Sequence, residues 1–196
     1  YDKILLIYVF TEIIEMTERT KLILISASIT FAALALAALM VFSLWILCAP
    51  QTMATSCEKT GNYSFAVTCA NLRYKYTGDA YDLSRCVDDS VLAGNDKLVV
   101  KYGEKLISDK QFNNVCTRKK DETKVDYKSF VCANVAYSHY KRGSLQKAIE
   151  YADFAKTEEG FIKLTVAVAE EGTADQKQTL KQVLTDLNYT NLANIL

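Results

Sequence analysis

The sequence predicts an all-α protein: one N-terminal transmembrane helix followed by a domain of antiparallel helical hairpins. Three observations predict it. The stretch from Leu22 to Cys57 carries no charged residue, and Leu22–Cys48 is built almost wholly from Leu, Ile, Ala, Val, Phe and Met. Beyond it, apolar residues recur at helical spacing. The 196-residue chain has one Pro and seven Gly, too few punctuating residues for a turn-rich β fold.

Residues 1–21 form the first element. Ile4–Phe10 is an apolar run, followed by Thr11, Glu12, Ile13, Ile14, Glu15 and Met16. The run is too short to span a bilayer, so it reads as an interfacial amphipathic helix or as an extension of the next helix. Leu22–Cys48 is the transmembrane helix, since about 20 apolar residues cross the hydrocarbon at ~1.5 Å each. A cleaved signal has an apolar core of about 7–15 residues, so this longer run reads as an uncleaved anchor. Lys3, Arg19 and Lys21 precede it and only Lys59 follows closely. Positive flanks stay inside, which predicts a single-pass protein with a cytoplasmic N-terminus and an extracytoplasmic domain. Ser28 with Ala32, and Ala33 with Ala37, are small-xxx-small pairs through which membrane helices can approach closely; Ala is also simply common in spans. Trp45 fits an interfacial anchor.

Residues 49–61 read as a linker, and 62–196 as the helical domain. Tyr81, Leu83, Cys86, Val87 and Val91 make one apolar stripe; Leu98, Val99, Tyr102, Leu106 and Ile107 make another; Leu180, Val183, Leu184 and Leu187 make a third. Thr173 and Gln176 fit a capping box. The pattern predicts helices over 62–77, 80–93, 96–108, 111–119, 125–141, 145–157, 159–170 and 174–187, with a short turn near 189–195.

Within Cys132–Ala152, small residues are set about a Gly turn. Ala136 lies on the first helix, Gly143 at the turn, and Ala148 and Ala155 on the second helix. This resembles a tetratricopeptide repeat, although Val135 and Cys132 stand where Leu and Trp are usual and the terminal Pro is absent. Residues 65–90 look like a weaker copy about Gly78, with Leu83 at a small position; 96–119 is a degenerate one. The resemblance implies a TPR-like domain whose first helices line a concave face for partner segments. Ala133, Tyr137, Tyr140 and Lys141 would line it, with Leu72, Lys75 and Tyr76 from the weaker copy. The twelve Tyr suit such a surface, or equally helix packing. His139 falls at a position that packs between the paired helices.

The six cysteines contain no C-x-x-C, which argues against zinc ribbons and c-type haem. Cys69 and Cys86 are nearly equidistant from Gly78, and Cys116 and Cys132 from residue 124. Such positions face each other across a hairpin, predicting Cys69–Cys86 and Cys116–Cys132 disulfides and leaving Cys48 with Cys57. Disulfides would require an oxidising compartment; buried free thiols are the other reading.

Charge and motifs exclude several classes. With 23 basic and 23 acidic residues there is no electrostatic footprint for nucleic acid. One histidine cannot build a common zinc or copper site, and no phosphate loop, G-x-S-x-G or H-E-x-x-H occurs. Asp88-Asp89, Glu158-Glu159 and Glu170-Glu171 read as solvated helix ends, and Arg118–Lys124 as a wet loop. Asn62-Tyr63-Ser64 and Asn188-Tyr189-Thr190 are glycosylation sequons. No catalytic residue, metal site or cofactor is expected. The expectation is a non-catalytic accessory or scaffolding subunit of a larger membrane complex, its partners being other membrane subunits and the bilayer. The alternative is a self-associating, pilin-like filament subunit. Type IV pilin-like subunits, however, begin with their apolar run and place Glu fifth, where this chain has Leu5.

Overall fold

The computed structural model describes residues 18–196, so the reading of Ile4–Met16 lies outside the described residues. Among these there are eleven helices and no strand. Contacts divide the chain after Cys48.

The first unit contributes α1, Glu18–Cys48. From Thr20 to Cys48 it is long and apolar enough to cross a membrane, and none of its apolar window is buried by protein. Leu22, Phe31 and Leu34 all stand exposed. Two of its hydroxyls are satisfied within the helix: Thr30 Oγ1 donates to the Ser26 carbonyl at 2.9 Å and Ser43 Oγ to the Leu39 carbonyl at 2.8 Å. Internal satisfaction is what hydrocarbon demands of polar groups.

The second unit, residues 49–196, is wholly helical. Its helices are α2 (Pro50–Lys59), α3 (Tyr63–Thr77), α4 (Ala80–Leu92), α5 (Asp96–Ile107), α6 (Phe112–Thr123), α7 (Tyr127–Lys141), α8 (Leu145–Phe154), α9 (Glu159–Glu171), α10 (Ala174–Asp186) and α11 (Thr190–Ala193). The segment expected to be a linker is therefore mostly helix. Pro50 starts α2 at a position where its missing N–H costs nothing. Met53, Ala54 and Cys57 are buried as α2 packs on α3. This packing fixes a segment that its polar composition disguised.

Side chains set the other boundaries. Asn62, Asp79 and Asn95 accept from the Phe65, Tyr81 and Leu98 N–H groups at their helix starts. Thr173 and Gln176 form the expected reciprocal capping box at α10. Between α7 and α8, Gly143 takes φ +85°, which an L side chain rarely adopts. The Gly143 N–H donates to the Tyr140 carbonyl at 2.8 Å and the Ser144 N–H to the His139 carbonyl at 3.0 Å, closing the α7 end.

Two apolar cores share α7. The first joins Val67, Leu83, Val87, Val99, Leu106 and Phe112 to Val131 and Val135 of α7. The second joins Ala136 and Tyr140 of α7 to Ala148, Ala152, Phe161, Leu164, Leu180 and Leu184. Val135 and Ala136 are adjacent in sequence, so they point about 100° apart on the helix and into different cores. The α7 helix is thus buried nearly all round. Helix α5 lies so near it that a Cβ on Gly103 would sit 2.2 Å from Val135 Cγ2. The expected degenerate region splits: α5 packs firmly on α4 and α7, whereas α6 touches α4 and α7 more sparingly.

The six cysteines are free thiols in this structure, so Cys69–Cys86, Cys116–Cys132 and Cys48–Cys57 are not paired in it. Equal distance from a turn does not by itself put two side chains on facing sides. Cys86 Sγ instead approaches the Val67 carbonyl at 3.9 Å, and Cys69 senses Cys57 on α2. Burial pushes Cys69 and Cys116 up to about 11, and Cys86 and Cys132 up to about 12. Thiols so shifted stay protonated and unreactive at neutral pH.

Candidate partner-binding groove

A groove runs along α7 between the end of α4 and α9. Its larger hollow, about 430 Å³, has an apolar floor of Val91, Phe130, Ala133 and Ile162. A smaller one, about 180 Å³, adjoins it and is lined by Val99, Tyr137 and Ser138. Val91, Asn134 and Lys163 line both. The α7 residues 130, 133, 134 and 137 come together because helical neighbours three and four apart share a face.

The polar groups on this face are individually fixed. Asn134 Nδ2 donates to the Phe130 carbonyl at 2.8 Å, and its Oδ1 accepts from Lys163 Nζ at 2.7 Å. That ammonium also lies 4.8 Å from the Tyr137 ring centroid. Burial lowers the Lys163 pKa despite the nearby Asp96. Ser138 Oγ donates to Asp96 Oδ1 at 2.8 Å, and Ser129 Oγ to Asp126 Oδ2 at 2.5 Å. Asp126 and Glu159 add acidic groups to the lining. Val125, Ile162 and Val166 stand roughly half exposed. This is an apolar channel with one engaged cation and an acidic border.

Two of the residues expected to bind partners line it, Ala133 and Tyr137. Tyr140 is buried in the second core instead, which Tyr137 also borders. Lys141 is exposed and ion-paired to Glu171 at 2.8 Å. Leu72, Lys75 and Tyr76 of α3 do not line the groove, although Tyr76 is widely exposed. Ser28, Ala32, Ala33 and Ala37 lie exposed on α1. Val91, Phe130, Ile162 and Lys163 were not read as groove residues, since they converge from three helices and no local spacing marks them together.

His139 is buried and lines neither hollow. Its Nε2 is 2.9 Å from Glu104 Oε1, and its ring stacks on Tyr151 at 5.1 Å. The Tyr151 hydroxyl, bonded to the same Glu104, is pushed up to about 12 mainly by burial. Among the described residues no group of three His, Cys, Asp or Glu side chains is arranged to hold a metal.

Asp88, Asp89 and the Arg118–Lys124 run differ from expectation. Asp88 binds Lys119 and Tyr127, Asp89 is buried, and α6 continues through Thr123. Lys119 is itself buried, so charges read as solvated tie α4, α6 and α7 together.

No protein-family model matches this chain, and neither curated proteins nor solved structures yielded a match.

Proposed function

We propose that this chain is a non-catalytic accessory or scaffolding subunit of a larger membrane protein complex. In this reading α1 is a single membrane span with its N-terminus cytoplasmic, as the flanking Lys3, Arg19 and Lys21 favour. The helical domain, TPR-like in its 127–155 hairpin, lies on the other side and holds an extramembrane segment of a partner. The observation that carries the proposal is the open apolar groove along α7, on a chain that also holds a helix apolar on every side. Exposed Val125, Ile162 and Val166 beside it are the kind of surface that monomeric soluble proteins usually cover. The span would contact partner helices through Ser28, Ala32, Ala33 and Ala37.

The test is mild-detergent extraction of native membranes, separation by size and identification of co-migrating proteins, for the natural chain and Ile162→Asp. Stoichiometric unlike membrane proteins that are lost from the variant, with its melting temperature unchanged, would support the reading. A ladder of self-multiples, unaffected by the variant, would favour the alternative of a self-assembling filament through α1. That alternative has its own support in the unbroken apolar exposure of α1.

A further inference from the structure

Helices α2, α4 and α6 enclose a second cavity, a polar cleft of about 580 Å³ whose lining includes Glu58, Arg85, Asp88, Asp89, Arg118 and Lys119. Most of its charges are engaged. Arg85 Nη2 donates to Glu58 Oε1 at 2.5 Å and to Thr55 Oγ1 at 3.1 Å. Lys119 Nζ donates to Asp88 Oδ2 at 2.8 Å, and Asp88 Oδ1 accepts from the Tyr127 hydroxyl at 2.7 Å. Arg118 binds Glu122 at 3.2 Å and lies 3.8 Å from the Tyr81 ring centroid.

Asp89 is the group left over. It is 3% exposed, and its Oδ2 is buried with no hydrogen-bond partner. A buried carboxylate in that condition must take up a proton or gain a donor. Burial first, then Glu58, pushes its pKa up to about 7, with Asp88 adding to the rise and Arg85 and Lys119 opposing it. Cys57 and Cys86 are the other titratable groups that sense it.

We propose that this cleft is a binding site for an organic cation, an alkylammonium or guanidinium group that donates to Asp89. An anion would meet the unpaired Asp89 beside Glu58 and Asp88, whose cations are already engaged. A neutral donor would complete a hydrogen bond and leave the charge unbalanced. The described residues offer no three-ligand arrangement for a metal. The cleft volume falls within the about 300–1,000 Å³ usual for small-molecule sites. The cation can come from a free amine or from a Lys or Arg side chain of another protein; the chemistry at Asp89 is the same. The site is separate from the groove, so its failure would leave the Ile162→Asp result standing.

The experiment follows the Asp89 carboxyl carbon by NMR in the full chain, held in lipid nanodiscs at about pH 7. The probes are n-butylammonium, neutral n-butanol and a blocked Ala-Lys-Ala peptide. Butylammonium is expected to move the resonance saturably to its ionised position, and butanol to leave it in place. Asp89→Asn, followed by the amide resonances around it, should weaken butylammonium at least about ten-fold, the loss of one charged hydrogen bond. A peptide that binds at least as tightly as butylammonium identifies a protein side chain as the source. Binding of butylammonium alone identifies a free amine. An unmoved resonance, equal responses to amine and alcohol, or unchanged affinity in Asp89→Asn would overturn the proposal and leave Asp89 served by internal water only.

Discussion

Helix α4 buries Asp82, Ser84, Asp89 and Ser90, whereas α9 and α10 together bury one polar side chain, Thr165. Helix α9 packs along α7, and α4 meets it through the Tyr127 hydroxyl, which bonds the Ser84 carbonyl and Asp88, so the contrast is between two ways of meeting one helix. The second core is apolar throughout and sets small residues at a close helix approach. A Cβ on Gly160 would sit 2.6 Å from the Ala152 carbonyl oxygen and 2.7 Å from Ala155 Cβ, so α8 and α9 nearly touch. The first core carries hydrogen-bonded charge: Arg73 holds Asp82 at 3.0 Å, and Lys119 with Tyr127 holds Asp88. Close packing gives stability and little else. Buried charge costs desolvation and is tolerated only when paired, so the unpaired Asp89 marks the place where the fold gives up stability.

The largest expected effects probe whether α7 makes the two cores one cooperative unit. Phe161→Ala should destabilise by about 3–5 kcal/mol and Leu83→Ala by about 2–5 kcal/mol, since both side chains are fully buried. Urea unfolding followed by circular dichroism should show one transition in each variant. Two separated transitions would break the picture of a shared wall.

Asp88→Ala comes next, at about 2–3 kcal/mol, because it strands the buried Lys119 ammonium and the Tyr127 hydroxyl. The exposed Lys141–Glu171 pair supplies the contrast, and Glu171→Gln should leave the midpoint unmoved. Equal costs for the two variants would remove the distinction between buried and surface charge.

Asp89→Asn should act in the opposite direction. A carboxyl group raised from 3.8 to about 7 in the folded state binds its proton more tightly when folded. Its favourable contribution is complete below about pH 4 and is lost as pH rises through about 7. Asn carries no such proton, so the variant should melt higher than the natural chain at pH 8 and show a flatter profile between pH 4 and 7. A lower melting temperature at pH 8 would mean that the Asp89 charge supports the fold. Thr173→Ala is the smallest loss expected to be measurable, about 1 kcal/mol from removal of the α10 cap, read as a modest midpoint shift.

The start of α10 was legible because it depends on a single side chain, Thr173, and Gly78 and Gly143 mark turns; the Asn62, Asp79 and Asn95 caps were not read as such. The apolar span was legible from composition alone. Three things were not. The α2 helix hides in a polar stretch whose Met53, Ala54 and Cys57 gain meaning only when α3 covers them. The orientation of Cys69, Cys86 and Tyr140 depends on helix rotation, to which distance from a turn is blind. The groove and the cleft each draw residues from several helices, and convergence of that kind leaves no mark in local sequence. Two of the four α7 residues named on the groove face, Ala133 and Tyr137, were reachable because they lie on one helix.

The shared position of α7 sets an order of events on the ribosome. The first core has no Val131 or Val135 wall until the chain has been made through Lys141, so Leu83, Val87, Val99 and Leu106 wait uncovered. At about 5–20 residues per second, the stretch from Ile107 to Lys141 takes seconds to synthesise. During that time a nascent chain presents the apolar side of α4 and α5 to whatever is nearby. Chains stalled before Tyr127 should therefore be held by chaperones or degraded, whereas chains stalled well past Lys141 should already resist protease in their first half.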